Sequence, residues 1–188
     1  MMPSQSQRRF VLADAMILIV ATAIGTALVR TYLLDIMASM PRRGIWMPPN
    51  PRIRTQIAMR AVLLAGVPLL AVWTVALLLL RLRRPRPRLR RLFRQPGAIA
   101  CAVVMLAVPL DAPWMVLIFN TGYWDTYNAA NIIVNHVGGG YVVLGGWSTL
   151  ALSGRWRAEP SWIDRAGRII GVAWIVATVL SRWRYLMV

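Results

Sequence analysis

Few residues in this chain of 188 amino acids have the chemistry for ligation or catalysis. His136 is the single histidine. It precedes Gly138, Gly139 and Gly140, which leave room for a flat ring, so axial ligation of a haem or chlorin is one reading and proton transfer another. One imidazole makes no bis-histidine site, and no Cys/His/Glu grouping supports a metal. An imidazole bonded to Asn or Tyr at a helix interface explains it with no cofactor at all. The string His136-Val137-Gly138-Gly139-Gly140 is interrupted by Val137 as an oxyanion motif, and no G-x-S-x-G follows. A Ser148–His136 dyad fails on reach: twelve residues along one helix is about 18 Å.

Two carboxylates stand inside apolar blocks. Asp111 lies between Pro109 and Pro113, where proline-freed carbonyls beside a carboxylate suit a cation or a proton. The structural alternative pairs Asp111 with Arg30, at the outer end of the first block. Asp14 lies near the opposite surface, within reach of Arg81, Arg83 or Arg94. Carboxylates near opposite faces do not make a general acid/base pair, which needs a separation of several ångströms. The Asp111 neighbourhood, Val108 to Trp114, matches Val67 to Trp73 at five of seven positions. That is either an inverted duplication in miniature or coincidence in a Leu, Ala, Val and Pro vocabulary.

The elements that must position these residues follow from composition. Apolar residues make up 58% and charged residues 15%, against about 25% charged in soluble domains, and mean hydropathy is +0.55. The 22 basic residues are all arginine and the formal net charge is +16. The arginines separate long apolar blocks instead of lining one polar face, which argues against nucleic acid as the partner. A membrane-crossing helix needs about 20 apolar residues. Blocks at 10–29, 57–80, 98–119 and 132–152 meet this. A fifth, 166–181, is interrupted by Arg168. It begins with a capping box, Ser161-Trp162-Ile163-Asp164, and an Asp164/Arg168 i,i+4 pair. It either spans with snorkelling arginines or lies in the interface as an amphipathic helix. The expected fold is therefore an all-α membrane protein, one integral domain over 1–188 built as a bundle of five transmembrane helices.

Arginine bias sets the orientation. Residues 81–96 carry eight arginines and residues 120–131 none, which puts the first segment in the cytoplasm and the second outside. The N-terminus is then inside and the C-terminus outside, with a bacterial inner membrane as the expected location. The first loop conflicts, since Arg30, Arg42, Arg43, Arg52 and Arg54 fall on the outer side. Residues 32–40 are expected to prolong the first helix before Pro41. Arg83, Arg84, Arg86, Arg88, Arg90 and Arg91 are expected to contact anionic lipid head groups, at about 1 kcal/mol per residue near the surface.

Small residues point to close helix packing. The fourth block pairs Gly138 with Gly145, and Gly139 with Gly146, at i,i+7, and Asn128, Asn131 and Asn135 continue a polar stripe on nearly that face if its helix begins near Thr126. Gly167 and Gly171 form a GxxxG. The segment 120–128 carries Tyr123, Trp124 and Tyr127 and no basic residue, which suits an interface or a docking surface. Together these features suggest a non-catalytic structural or accessory subunit of a larger membrane assembly, whose partners are other membrane subunits or copies of itself. The alternatives are a small oligomeric transporter or channel using Asp111, and a pigment- or haem-binding subunit using His136.

Overall fold

A computed structural model describes residues 11–42, 51–83, 89–110 and 138–183, all helix, turn or irregular chain with no strand among the described residues. The helices are α1 (Leu12–Arg42), α2 (Pro51–Leu82), the single turn α3 (Leu89–Leu92), α4 (Pro96–Leu110), α5 (Gly139–Leu152) and α6 (Trp162–Trp183). Two of them, through Leu12–Leu34 and Ala65–Leu82, are long and apolar enough to cross a membrane. Both are longer than these windows: α1 continues through Pro41, and α2 begins at Pro51 and passes through Pro68 without ending. Arg42 in the last turn of α1, and Arg52 and Arg54 in the first turn of α2, thus lie on helical extensions outside the apolar stretches.

Side-chain contacts fix the direction of each helix. Asp14 meets Arg83 while Gly25 meets Leu69, so α1 and α2 are antiparallel. Arg81 meets Asp164 and Thr74 meets Trp174, so α2 and α6 are antiparallel too. Gly97 meets Asp164 and Ala100 meets Gly171, which makes α4 parallel to α6. Gly140 meets Thr178 and Trp147 meets Gly171, which sets α5 against both. The long helices therefore alternate in direction. One end of the bundle gathers the starts of α1, α4 and α6 with the ends of α2 and α5, and it holds Arg81, Arg83, Arg91, Arg94, Arg157 and Arg168.

The helix that looked weakest as a span is the hub. α6 packs against α2, α4 and α5, whereas α1 packs mainly on α2. Trp174 of α6 is 1% exposed and sits in a core with Tyr32, Ala65, Val67, Ala100, Val104 and Val143. Its indole lies on Gly139, where an added Cβ would stand 2.6 Å from the ring. Trp147 of α5 lies in the same way on Gly171 of α6. Each helix thus sets a tryptophan against a glycine of the other.

Hydroxyls in this apolar setting turn back on their own helices. Thr22, Thr26 and Thr31 of α1 donate to carbonyls four residues earlier, at 2.8–3.0 Å. Thr74 donates to the Leu70 carbonyl (2.7 Å) and accepts from Trp174 Nε1 (3.0 Å). Thr74→Val keeps the side-chain shape but strands a buried indole N–H, and a lost partner costs more than a lost pair. We expect it to cost about 1–3 kcal/mol, with Trp174→Phe added to it restoring part of the loss. Detergent-unfolding curves of the single and the double variant check this, and a double variant no more stable than Thr74→Val would contradict it.

The fourth block departs from the expected continuous helix. α5 begins only at Gly139, because Gly138 is left-handed (φ 54°) and no right-handed helix passes through such a residue. Gly138 therefore shares no helical face with Gly145. The freed Gly140 N–H is capped from outside, by Thr178 Oγ1 of α6 at 2.9 Å. Asn128, Asn131 and Asn135, the expected polar stripe, lie outside the described residues.

Candidate functional site

The polar chemistry of the described residues concentrates at the basic end. Asp164 opens α6, and its N–H donates to Ser161 Oγ (3.3 Å), half of the expected capping box. Its carboxylate turns inward instead of back to the cap, and is fully buried. Oδ1 accepts from Arg81 Nη2 at 2.9 Å and from the Gly97 N–H at 3.1 Å. Oδ2 faces Arg168 Nε at 3.5 Å, an ion-pair distance and not a hydrogen bond. One carboxylate therefore ties α2, α4 and α6 together. Bonded on one oxygen by a guanidinium and an amide, it serves as a lock.

Asp14 is also fully buried and meets Arg83 Nη1 at 3.6 Å. Of the three arginines within its expected reach, Arg83 is the one that pairs with it; Arg81 serves Asp164, and Arg94 lines a cleft. That cleft, of about 540 Å³, lies between the turn carrying Arg90, Arg91, Arg94 and Gln95 and the segment 157–160. Its two walls are joined by one backbone bond, from the Arg157 N–H to the Arg94 carbonyl (2.9 Å), and the turn itself is closed by the Gln95 N–H on the Leu92 carbonyl (3.1 Å). Arg91 is engaged by Glu159. Gln95 is 1% exposed, and its Oε1 has no hydrogen-bond partner.

The packing glycines divide. An added Cβ would strike Trp174 at Gly139, the Ile175 backbone at Gly140, Ile99 at Gly146, the Gly97 backbone at Gly167, and Trp147 at Gly171. At Gly145 it meets open space. Gly140 and Gly97 are close-approach positions that sequence reasoning passed over. Their signal is long-range, since each is small only because a residue of another helix sits on it. Arg30 is exposed on α1. Asp111, His136, the aromatic segment 120–128, and Arg84, Arg86 and Arg88 lie outside the described residues. Among the described residues no group of three or more His, Cys, Asp or Glu side chains could hold a metal. Cys101 is buried against Leu77, Leu80 and Ile163.

Comparison of the chain with protein-family models, curated proteins and solved structures gives no match.

Proposed function

We propose that this chain is a five-pass integral membrane protein, its basic end at the cytoplasmic face, that serves as a non-catalytic structural or accessory subunit of a larger membrane assembly. The alternating helix directions support the topology, because they bring residues 81–83, 90–94 and 155–157 to one end, as the positive-inside bias requires. The outer side of α1 supports the environment. Leu12, Met16, Ile19, Val20, Ile24 and Leu28 form an exposed apolar row, too extensive for a surface in water.

The observation that carries the subunit reading is the free face of α5. Tyr141, Leu144, Gly145, Ser148, Thr149 and Leu152 are exposed along it, and Gly145 leaves a notch that none of the described residues fills. Small residues let membrane helices approach closely, which is how such helices associate without a hydrophobic drive. Thr149 Oγ1 already donates to the Gly145 carbonyl (2.8 Å), so its hydroxyl proton is turned back on its own helix.

Purification from native membranes in mild detergent tests this reading. The expected result is one or more other chains at fixed stoichiometry, lost in Gly145→Leu while the chain itself stays folded. Gly146→Leu, which drives into Ile99 and Val103, is expected to destabilise the chain before assembly is reached. A homo-oligomer with no other chain at fixed stoichiometry would overturn the subunit role.

A further inference from the structure

The cleft at the basic end has charge, a fixed frame and a buried acceptor without a donor. We propose that it binds the head group of an anionic phospholipid, with Arg90, Arg94 and Arg157 on the phosphodiester and Gln95 Oε1 on a head-group hydroxyl. This rests on the membrane placement argued above. Four guanidiniums face one carboxylate in the cleft, and that carboxylate, Glu159, is taken up by Arg91. Arg90, Arg94 and Arg157 have no acidic partner among the described residues. A phosphodiester supplies the missing charge and accepts planar, charge-assisted hydrogen bonds from guanidinium forks.

The second requirement comes from Gln95. A buried amide oxygen without a donor is costly, and Gln95, which carries this one, is among the residues that line the cleft. The matching ligand therefore carries a hydroxyl beside its phosphate, as a glycerol or other polyol head group does. The frame is already set, because the Arg157–Arg94 backbone bond holds the two walls before any ligand arrives.

What favours a lipid over a soluble polyol phosphate is the surroundings. Phe93 projects from the arginine turn at 57% exposure, and Trp156 stands beside Arg157 at 40%. An exposed aromatic on each wall suits the membrane–water interface. The apolar windows of α1 and α2 also end at this level, at Leu12 and Leu82.

The test uses the full chain in mild detergent, offered equal amounts of phosphatidylglycerol, phosphatidylmethanol and phosphatidylcholine, with retained lipid read by native mass spectrometry. The expected order of retention is phosphatidylglycerol, then phosphatidylmethanol, then phosphatidylcholine. Arg94→Gln and Arg157→Gln should each lower retention of both anionic lipids about fivefold. Arg155→Gln, which removes the same charge from outside the cleft, should leave retention unchanged. Gln95→Leu should erase the difference between phosphatidylglycerol and phosphatidylmethanol while keeping both above phosphatidylcholine. Equal losses in the Arg155 and Arg157 variants would reduce the effect to general attraction and overturn the site. Displacement by glycerol 3-phosphate at matched concentration would overturn the lipid assignment. Release of the chain from membranes by alkaline washing would instead overturn the membrane placement, whatever the cleft binds.

Discussion

Asp164→Asn is expected to cost about 3–5 kcal/mol, the largest loss from any single change of a polar side chain in the bundle. The amide keeps a carbonyl oxygen for the Gly97 N–H but removes the charge opposite Arg81. Arg81 is only 6% exposed, so its guanidinium is left buried and uncompensated, and removing one partner of a buried pair is far worse than replacing both. Arg81→Leu combined with Asp164→Leu is accordingly expected to regain much of the loss. Arg168→Gln is the control: at 36% exposure and 3.5 Å, that pair contributes no more than about 1 kcal/mol. Unfolding in mixed detergent–dodecyl sulfate micelles, followed by tryptophan fluorescence, reads all three. An Asp164→Asn midpoint no lower than that of Arg168→Gln would mean that the carboxylate does not tie α2, α4 and α6 together.

What could be read ahead of the structure was what local pattern encodes. Apolar length marks α1 and α2 because a long apolar run has few alternatives to helix. The Asp14–Arg83 contact was legible as one of three choices, since a buried acid near a basic loop has few places to find a cation. The start of α5 was not. Gly138 takes a left-handed conformation with no side-chain cap to announce it, and the partner that caps Gly140 comes from Thr178, 38 residues on. Asp164 read locally as half of a capping box and an i,i+4 pair, and both readings are only partly realised. Its stronger partner is 83 residues away in the chain, a distance that spacing cannot see. The same holds for the cleft, whose Arg94 and Arg157 become neighbours through a backbone bond between segments far apart in sequence. Arg168, which made α6 look like the poorest span, belongs to the cluster that anchors α6 at the centre. Glycine content draws attention to α5 and α6, whose Gly139, Gly146, Gly167 and Gly171 stand against residues of other helices. It did not identify which glycine faces what, because a helix face depends on where the helix begins, and Gly138 moves that origin.

Gly167→Leu is expected to separate α4 from α6, and even Gly167→Ala to be destabilising. An added Cβ at Gly167 would lie 2.6 Å from the Gly97 carbonyl oxygen and 2.9 Å from Gly97 Cα. Both are backbone atoms, so no rotamer change relieves the clash; the helices themselves must move apart. Movement there stretches the Gly97 N–H bond to Asp164, so the small contact and the buried charge fail together. Two effects of opposite sign compete in Gly167→Ala. Alanine gains up to about 1 kcal/mol over glycine in helix propensity, while overpacking of a tight contact costs about 1–3 kcal/mol. With backbone as the obstacle the second prevails, and leucine extends the cost toward the upper end of that range or beyond. Gly145→Ala isolates the first effect, because its Cβ enters open space, and in the purified chain it should stabilise by about 0.5–1 kcal/mol. The two alanine variants should therefore shift the unfolding midpoint in opposite directions. If Gly167→Ala instead stabilises as Gly145→Ala does, the α4–α6 contact is looser than a backbone-to-backbone approach.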